Sequence, residues 1–160
     1  MNLHIRPYEE SNHSDVIEIT MLAFAPIHRS FAQILGPEIN PLVYPDWRTS
    51  QREGIENIIK SETITLCVAD VEGAIAGYVA YILNDKDKTG EVEILAVHPQ
   101  HQSQGIGTAL NLYALEKLKA GGMKLVVVGT GGDDSHAAAR RSYEKAGYTA
   151  LPLVRYYKAL

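Results

Sequence analysis

The sequence has one cysteine, no excess of basic residues and no long apolar run. Cys67 is the only cysteine among the 160 residues, so an internal disulfide is excluded. The formal net charge of −4 leaves no basic field for a nucleic-acid backbone, and we expect no nucleic-acid partner. The first residues lack the apolar stretch of a secretory signal, and no window is long enough to span a bilayer. We therefore expect a cytoplasmic protein without a membrane partner.

Internal repeats, low-complexity tracts and linker-like stretches are also lacking. The 46% hydrophobic and 21% charged content is typical of a folded protein, and the length suits one domain. We predict a single domain over residues 1–160. The histidines and carboxylates show no spacing typical of metal ligands, so no metal site is predicted.

Prolines interrupt the first half of the chain. Because the residue before a proline disfavours helical geometry, we predict that a helix beginning near Ser14 ends before Pro26. Short helix and irregular loop should then follow as far as Trp47. A short strand near Leu3 precedes this helix.

The middle of the chain predicts a helix followed by a hairpin. The helix covers about residues 46–60, and the strands cover residues 62–71 and 74–83. Glu72-Gly73 between the strands is a tight-turn signal.

The second half begins with a strand–helix–strand unit. A strand over residues 91–97 leads into a helix that ends near Ala120, and the apolar run over residues 124–129 predicts a strand buried on both faces. A helical crossover between two strands predicts a parallel pair. A helix from about Asp133 to Ala146 follows, and residues 148–157 should close the chain as one or two strands.

The most informative segment is the turn between the 91–97 strand and its helix. Gly105 and Gly107 stand where a helix leaves backbone N–H groups unpaired at the positive end of its dipole. A phosphate can approach such glycines closely. A P-loop would need a lysine that is absent after Gly107, and a dinucleotide fold would need a third glycine after the first strand of a sheet. Both of these alternatives fail.

The segment Gln102-Ser103-Gln104-Gly105-Ile106-Gly107 resembles the signature Gln/Arg-x-x-Gly-x-Gly/Ala of the GNAT superfamily of N-acetyltransferases. Residues 136–148 resemble a later motif of that family, Asn-x-x-Ala-x-x-x-Tyr-x-x-x-Gly-Phe. Ser103 replaces a frequent glycine, Gln104 a frequent basic residue and His136 the usual asparagine. The first two changes reduce the charge available to phosphates but leave the backbone donors intact.

The resemblance implies an α+β fold: a mixed, mostly antiparallel twisted sheet with helices on both faces and one parallel strand pair at the cofactor site. It implies acetyl-CoA as co-substrate, with the pantetheine arm along a strand that splays from its neighbour. The implied cofactor-binding residues are Leu95, Ala96, Val97, Gln102, Ser103, Gln104, Gly105, Ile106, Gly107, Thr108, His136, Ala139 and Tyr143.

The resemblance also implies catalytic roles. Tyr143 would protonate the departing thiolate, and the Val97 N–H would point at the thioester oxygen. For the base we predict Glu91 or Glu93, on the same strand side as Val97 by the two-residue period. His98 and His101 are alternatives. His136 either contacts the pantetheine or caps its helix, and the sequence does not separate these roles.

The implied activity is acetyl transfer to a primary amine of a small molecule or peptide. The acceptor would be held by residues 26–48 and the last strands, with these side chains as candidates: His28, Arg29, Tyr44, Asp46 and Trp47. A homodimer is compatible with the sequence. The alternatives are a non-catalytic acyl-CoA-binding sensor or regulatory module and a nucleotide-binding module.

Overall fold

The computed structural model describes residues 2–160 and contains one sheet of five strands in sequence order. The strands are β1 Leu3–Pro7, β2 Ile64–Val71, β3 Ala74–Asn84, β4 Thr89–Val97 and β5 Leu125–Val128. Neighbours are antiparallel except for β4 and β5, which are parallel. The predicted α+β class, with one parallel pair, is confirmed.

Helices cover both faces of this sheet. They are α1 His13–Val43, α2 Trp47–Lys60, α3 Ile106–Ala120 and α4 Ala137–Lys145. One core lies between the sheet and α1 and α2, where Val16 and Ile55 pack on Tyr78. The other lies under α3, where Leu110 and Leu118 are fully buried. Within residues 2–160, no helix has both the length and the apolar character needed to cross a bilayer.

Helix α1 continues beyond the point where the sequence predicts its end. Pro26 lies inside it, and the helix is interrupted only at Gly36, whose φ of 76° and ψ of 177° are not helical. Pro37 follows this kink in a first helical turn, where the missing N–H removes no bond. Pro26 does remove a helical hydrogen bond, but α1 packs on β3 and β4, and this packing tolerates the loss. The prediction that this helix ends before Pro26 and is followed by short helix and irregular loop as far as Trp47 is wrong.

The helix and the hairpin turn predicted for the middle of the chain are confirmed, and the structure shows a side-chain cap on this helix. The Asp46 carboxylate accepts a hydrogen bond from the Thr49 N–H at 3.2 Å and caps α2. Glu72 and Gly73 both have positive φ, 55° and 91°, as a two-residue hairpin turn between β2 and β3 requires.

Strand β5 lies at the edge of the sheet. Val126 and Val128 pack toward the core under α3, whereas Leu125 and Val127 are 60% and 46% exposed. The prediction that this apolar run is buried on both faces is wrong. An apolar sequence indicates that a strand prefers burial, but burial of both faces requires other elements to cover them, and one face of β5 is not covered.

Residues 149–160 contain no strand. Leu151 and Leu153 are each more than four-fifths exposed, so the predicted closing strands over residues 148–157 are also wrong. An alternating apolar segment becomes a strand only when an edge pairs with it, and none does in the described part of the chain.

Candidate active site

The two parallel strands separate halfway along their length. Pairing runs from Thr89 with Leu125 to Val92 with Val128 and then stops. Residues 93–97 of β4 therefore present unpaired backbone groups on the side facing away from β3. The splay that the resemblance implies is confirmed, and it opens a cleft.

Backbone direction at the end of β4 follows from one hydrogen bond. The His98 N–H donates to the Ala76 carbonyl at 2.8 Å, on the β3 side. Because N–H groups of successive strand residues point to opposite sides, the Val97 N–H points away from β3 and into the cleft.

The cleft continues into a cavity of about 580 Å³. It is lined by β4, the turn before α3, the middle of α1, the end of β5 and one face of α4. Its wall on the α1 and α2 side consists of Ala23, Phe24, Pro26, Ile27 and Gln51. The cavity thus joins the parallel strand pair to the N-terminal helices.

The glycine-rich turn lies on this cavity. Gly105 precedes α3 and has a left-handed backbone conformation, with φ of 85°. The Ala109 N–H donates to the Gly105 carbonyl at 2.9 Å. This is the first bond of the helix, so the N–H groups of residues 106–108 have no helical acceptor. A Cβ on Gly107 would lie 3.6 Å from Val97 Cγ2, which shows how closely α3 approaches β4. The turn offers free donors at the positive end of a dipole.

The structure brings the predicted cofactor residues together, with two exceptions. All of them except Gln104 and Ile106 line the cavity. The Gln104 side chain bends back and donates to the Gln100 carbonyl at 3.1 Å. Ile106 is 1% exposed, and its side chain points into the core under α3. For these two, only the backbone is available to a ligand.

Tyr143 lines the cavity from α4. Burial raises the pKa of its hydroxyl above the ordinary value of 10.0. The group is therefore protonated at neutral pH and can donate a proton or a hydrogen bond.

The two predicted basic carboxylates differ in position. Glu93 lines the cavity and Glu91 does not. In β4, Val92 pairs with Tyr81 and Ile94 with Ala80, so Glu93 is an extra residue without a partner on β3. This bulge reverses the alternation, and the prediction that Glu91 and Glu93 share a strand side with Val97 by the two-residue period is wrong. Burial, followed by the charge of Glu91, raises the pKa of Glu93.

The histidines of the turn lie elsewhere. His98 and His101 line a separate, smaller pocket with Asp15 and Glu18 of α1, and the His98 Nδ1 accepts a hydrogen bond from the Gln100 N–H at 3.2 Å. Neither imidazole reaches the cavity.

His136 lies on the cavity at the start of α4. Its side chain makes no capping bond to the helix. Instead, its Nδ1 hydrogen bonds to Asp133 Oδ1 at 2.6 Å. The sequence left two roles open for His136. The absence of a side-chain cap excludes the capping role, and the position on the cavity is compatible with a contact to the pantetheine.

None of the candidate acceptor residues lines the cavity, and three of them, His28, Tyr44 and Trp47, form an aromatic cluster. His28 stacks on Trp47 at 4.4 Å and meets Tyr44 edge-on at 5.0 Å. Burial lowers the pKa of His28. Asp46 is the exposed cap of α2. The cavity wall itself is made by residues that were not among the named candidates, although Pro26 and Ile27 fall within the predicted acceptor segment 26–48.

Known proteins with similar sequences are acetyltransferases. A family model described as "Acetyltransferase (GNAT) family" matches residues 33–148. A mycothiol acetyltransferase of Beutenbergia cavernae is 33% identical over 129 residues, which are 81% of this chain and 41% of that protein. The chain thus spans about two-fifths of the length of this relative.

Solved structures share the fold. The PaiA N-acetyltransferase of Thermoplasma acidophilum, in complex with coenzyme A, has a TM-score of 0.70 at 18% identity, covering 93% of this chain and 91% of that one. The ribosomal-protein-S18-alanine N-acetyltransferase of Escherichia coli has a TM-score of 0.68 at 18% identity, covering 94% and 80%.

Proposed function

Because the chain belongs to the GNAT acetyltransferase family, we propose that it transfers the acetyl group of acetyl-CoA to a primary amine of a small molecule or peptide. Residues 1–160 act as one N-acetyltransferase domain. The amine attacks the thioester directly, and no acyl-enzyme is formed.

One observation carries this proposal. The free N–H groups of residues 106–108 and the unpaired backbone of residues 93–97 border one cavity. The first set suits a diphosphate, because backbone donors at a helix start bind anions. The second set suits the amide groups of a pantetheine arm, which can pair with a free strand edge.

The chemistry follows from the groups that border the cavity where the two parallel strands have separated. The Val97 N–H stabilises the oxyanion that develops on the thioester carbonyl. Tyr143, protonated at neutral pH, gives its proton to the leaving thiolate. Glu93 provides a negative charge on the cavity and attracts a cationic amine. Glu91 lies off the cavity and contributes mainly by raising the pKa of Glu93.

The proposed acceptors are primary amines of small molecules or of peptides. The similar proteins include a mycothiol acetyltransferase and a ribosomal-protein-S18-alanine N-acetyltransferase. The apolar wall of Ala23, Phe24 and Ile27 favours an amine with an apolar portion near its nitrogen.

The test is an assay of thiol release from acetyl-CoA with a panel of small amines and peptide N-termini. We expect amine-dependent CoA release, with the acetylated amine identified by mass spectrometry. Tight acetyl-CoA binding without release for any amine would favour the alternative, a non-catalytic acyl-CoA sensor. Protection by ATP or NAD but not by acetyl-CoA would contradict both.

A further inference from the structure

The loop between β5 and α4 is built around one carboxylate. Asp133 accepts hydrogen bonds from Ser30 Oγ of α1 at 2.7 Å, from Ser135 Oγ and from His136 Nδ1 at 2.6 Å. Its side chain is 11% exposed and that of His136 15%. Burial alone would raise the pKa of Asp133, but these hydrogen bonds and the charge of His136 hold it well below the ordinary value. Asp133 is therefore an anion at neutral pH.

This anion fixes the proton on the imidazole. A carboxylate can only accept hydrogen bonds, so the Nδ1 of His136 must carry the hydrogen. In the neutral ring, the Nε2 is then the nitrogen with a free lone pair. No protein group of residues 2–160 hydrogen bonds to this Nε2, and the ring lines the cavity.

The surroundings hold the ring in place. Phe31 of α1 stacks on it, with ring centroids 5.8 Å apart and planes 24° apart. Arg140 donates to the carbonyls of Gly131 and Asp133 at 2.6 and 2.7 Å and fixes the loop. A side chain at Gly131 would collide with the imidazole and with Asp133, so glycine is required for this packing. Such support gives the imidazole little freedom to turn away.

The position is also suitable for catalysis. His136 lines the same cavity as Tyr143 and Val97. Glu93 is the competing base on this cavity. An imidazole is the side chain used most often for general acid–base catalysis. Asparagine, usual at this position in the family, cannot act in this way.

We propose that His136 Nε2 is the general base for the acceptor amine and that Asp133 is its positioning residue. This rests on the proposed acetyl transfer. The ammonium of the acceptor gives one proton to Nε2, which later passes it to solvent. The freed electron pair forms the C–N bond to the thioester carbon, the C–S bond breaks, and the sulfur takes the Tyr143 hydroxyl proton. The second amine proton returns to the Tyr143 oxygen. The products are the amide, CoA thiol and one proton in solvent.

The kinetic test compares His136→Asn with the wild type across pH. Asparagine retains a polar group toward the cofactor but has no titratable nitrogen. At pH 7 we expect kcat/KM for the amine to fall by about 10²–10⁴-fold, the usual contribution of a general base, with the Kd of acetyl-CoA unchanged. The acid limb of the profile should disappear. His101→Asn, outside the cavity, is the matched control and should leave the profile unchanged.

Asp133→Asn tests the positioning role. Removing the carboxylate that keeps the hydrogen on Nδ1 should lower kcat/KM for the amine and leave the Kd of acetyl-CoA unchanged. The other groups near His136 in residues 2–160 do not provide a second negative charge beside its Nδ1. Ser30 and Phe31 of α1 carry no charge, Arg140 is a guanidinium that bonds to backbone carbonyls, and Glu93 on the same cavity is tested separately by Glu93→Gln.

Nitrogen NMR of the wild-type histidine rings, with His136 assigned through His136→Asn, provides a readout that needs no turnover. The neutral ring of His136 should carry its hydrogen on Nδ1. A hydrogen on Nε2, or a His136→Asn variant that keeps the acid limb and a rate within threefold of wild type, would overturn the assignment. Absence of acetyl-CoA binding by the wild type would instead overturn the proposed function, so the two failures are distinguishable.

Discussion

Val92 of β4 pairs with Val128 of β5, and this is the last residue pair between the two strands. The cavity begins where the pairing ends, and both valines line it. The parallel pair is thus held together at one end by ordinary sheet bonds and open at the other. The open end leaves backbone donors and acceptors of β4 available to a ligand.

Gly105→Val should weaken acetyl-CoA binding. Gly105 has φ of 85°, and an added side chain would meet nothing within 4 Å, so the effect comes from the backbone. An L-residue in this region costs about 1–2 kcal/mol, and relief of that strain rotates the N–H groups away from the phosphates. Calorimetry should show a Kd at least tenfold higher.

Gly122→Val is the matched control for this change. Gly122 has φ of 83°, also meets nothing within 4 Å and lies in the turn after α3, off the cavity. Both variants should lose similar thermal stability, but only Gly105→Val should lose affinity. Equal affinities for the two variants would count against the turn as the phosphate site.

Tyr143→Phe should slow the chemical step. The hydroxyl is kept protonated by its raised pKa, so its removal takes away the proton for the thiolate. We expect kcat to fall by about 10²-fold or more, with the Kd of acetyl-CoA within twofold of wild type. Tyr113→Phe, on α3 and off the cavity, serves as control. Full activity of Tyr143→Phe would assign the acid role to another group.

Glu93→Gln should weaken acceptor binding. The lost charge corresponds to roughly 1 kcal/mol for an exposed ion pair, so we expect KM for the amine to rise roughly fivefold. Because the pKa of Glu93 is raised, its charge is lost at higher pH than in an ordinary glutamate, and the wild-type KM should rise as pH falls toward 5. Glu91→Gln, which replaces a residue off the cavity, should change KM less. Equal effects of the two variants would remove Glu93 from the acceptor site.

Asp133→Asn should destabilise the fold in a pH-dependent way. The folded pKa of Asp133 lies below its ordinary value of 3.8, so the ionised group adds stability above about pH 4, and this contribution is lost as pH falls further. We expect a loss of about 1–3 kcal/mol at pH 7 and a smaller loss at pH 3, measured by urea unfolding. Asp134→Asn, on the exposed neighbouring residue, is the control. A difference that does not change with pH would contradict the ionic role of Asp133.

Local signals in the sequence predicted much of this structure. The hairpin at Glu72-Gly73 and the turn at Gly105 each depend on a few adjacent residues, and the structure confirms them. The geometry of these turns depends on the residues within them, so they could be predicted without knowledge of distant contacts.

The wrong predictions all depended on distant contacts. Pro26 stays helical because α1 packs on the sheet. The bulge at Glu93 is defined by its pairing with β3. Leu153 lies in no strand because no edge pairs with it in the described chain. Likewise, the dyad of Asp133 and His136 is short-range in sequence, but only the contact with Ser30 and Phe31 places it on the cavity.

The central claim is that backbone groups at the start of α3 hold acetyl-CoA. Isothermal titration calorimetry of the purified chain against acetyl-CoA, CoA and ATP tests it most directly. We predict one-to-one binding of both CoA species, with ATP much weaker. No measurable heat with either acetyl-CoA or CoA at millimolar ligand would contradict the account.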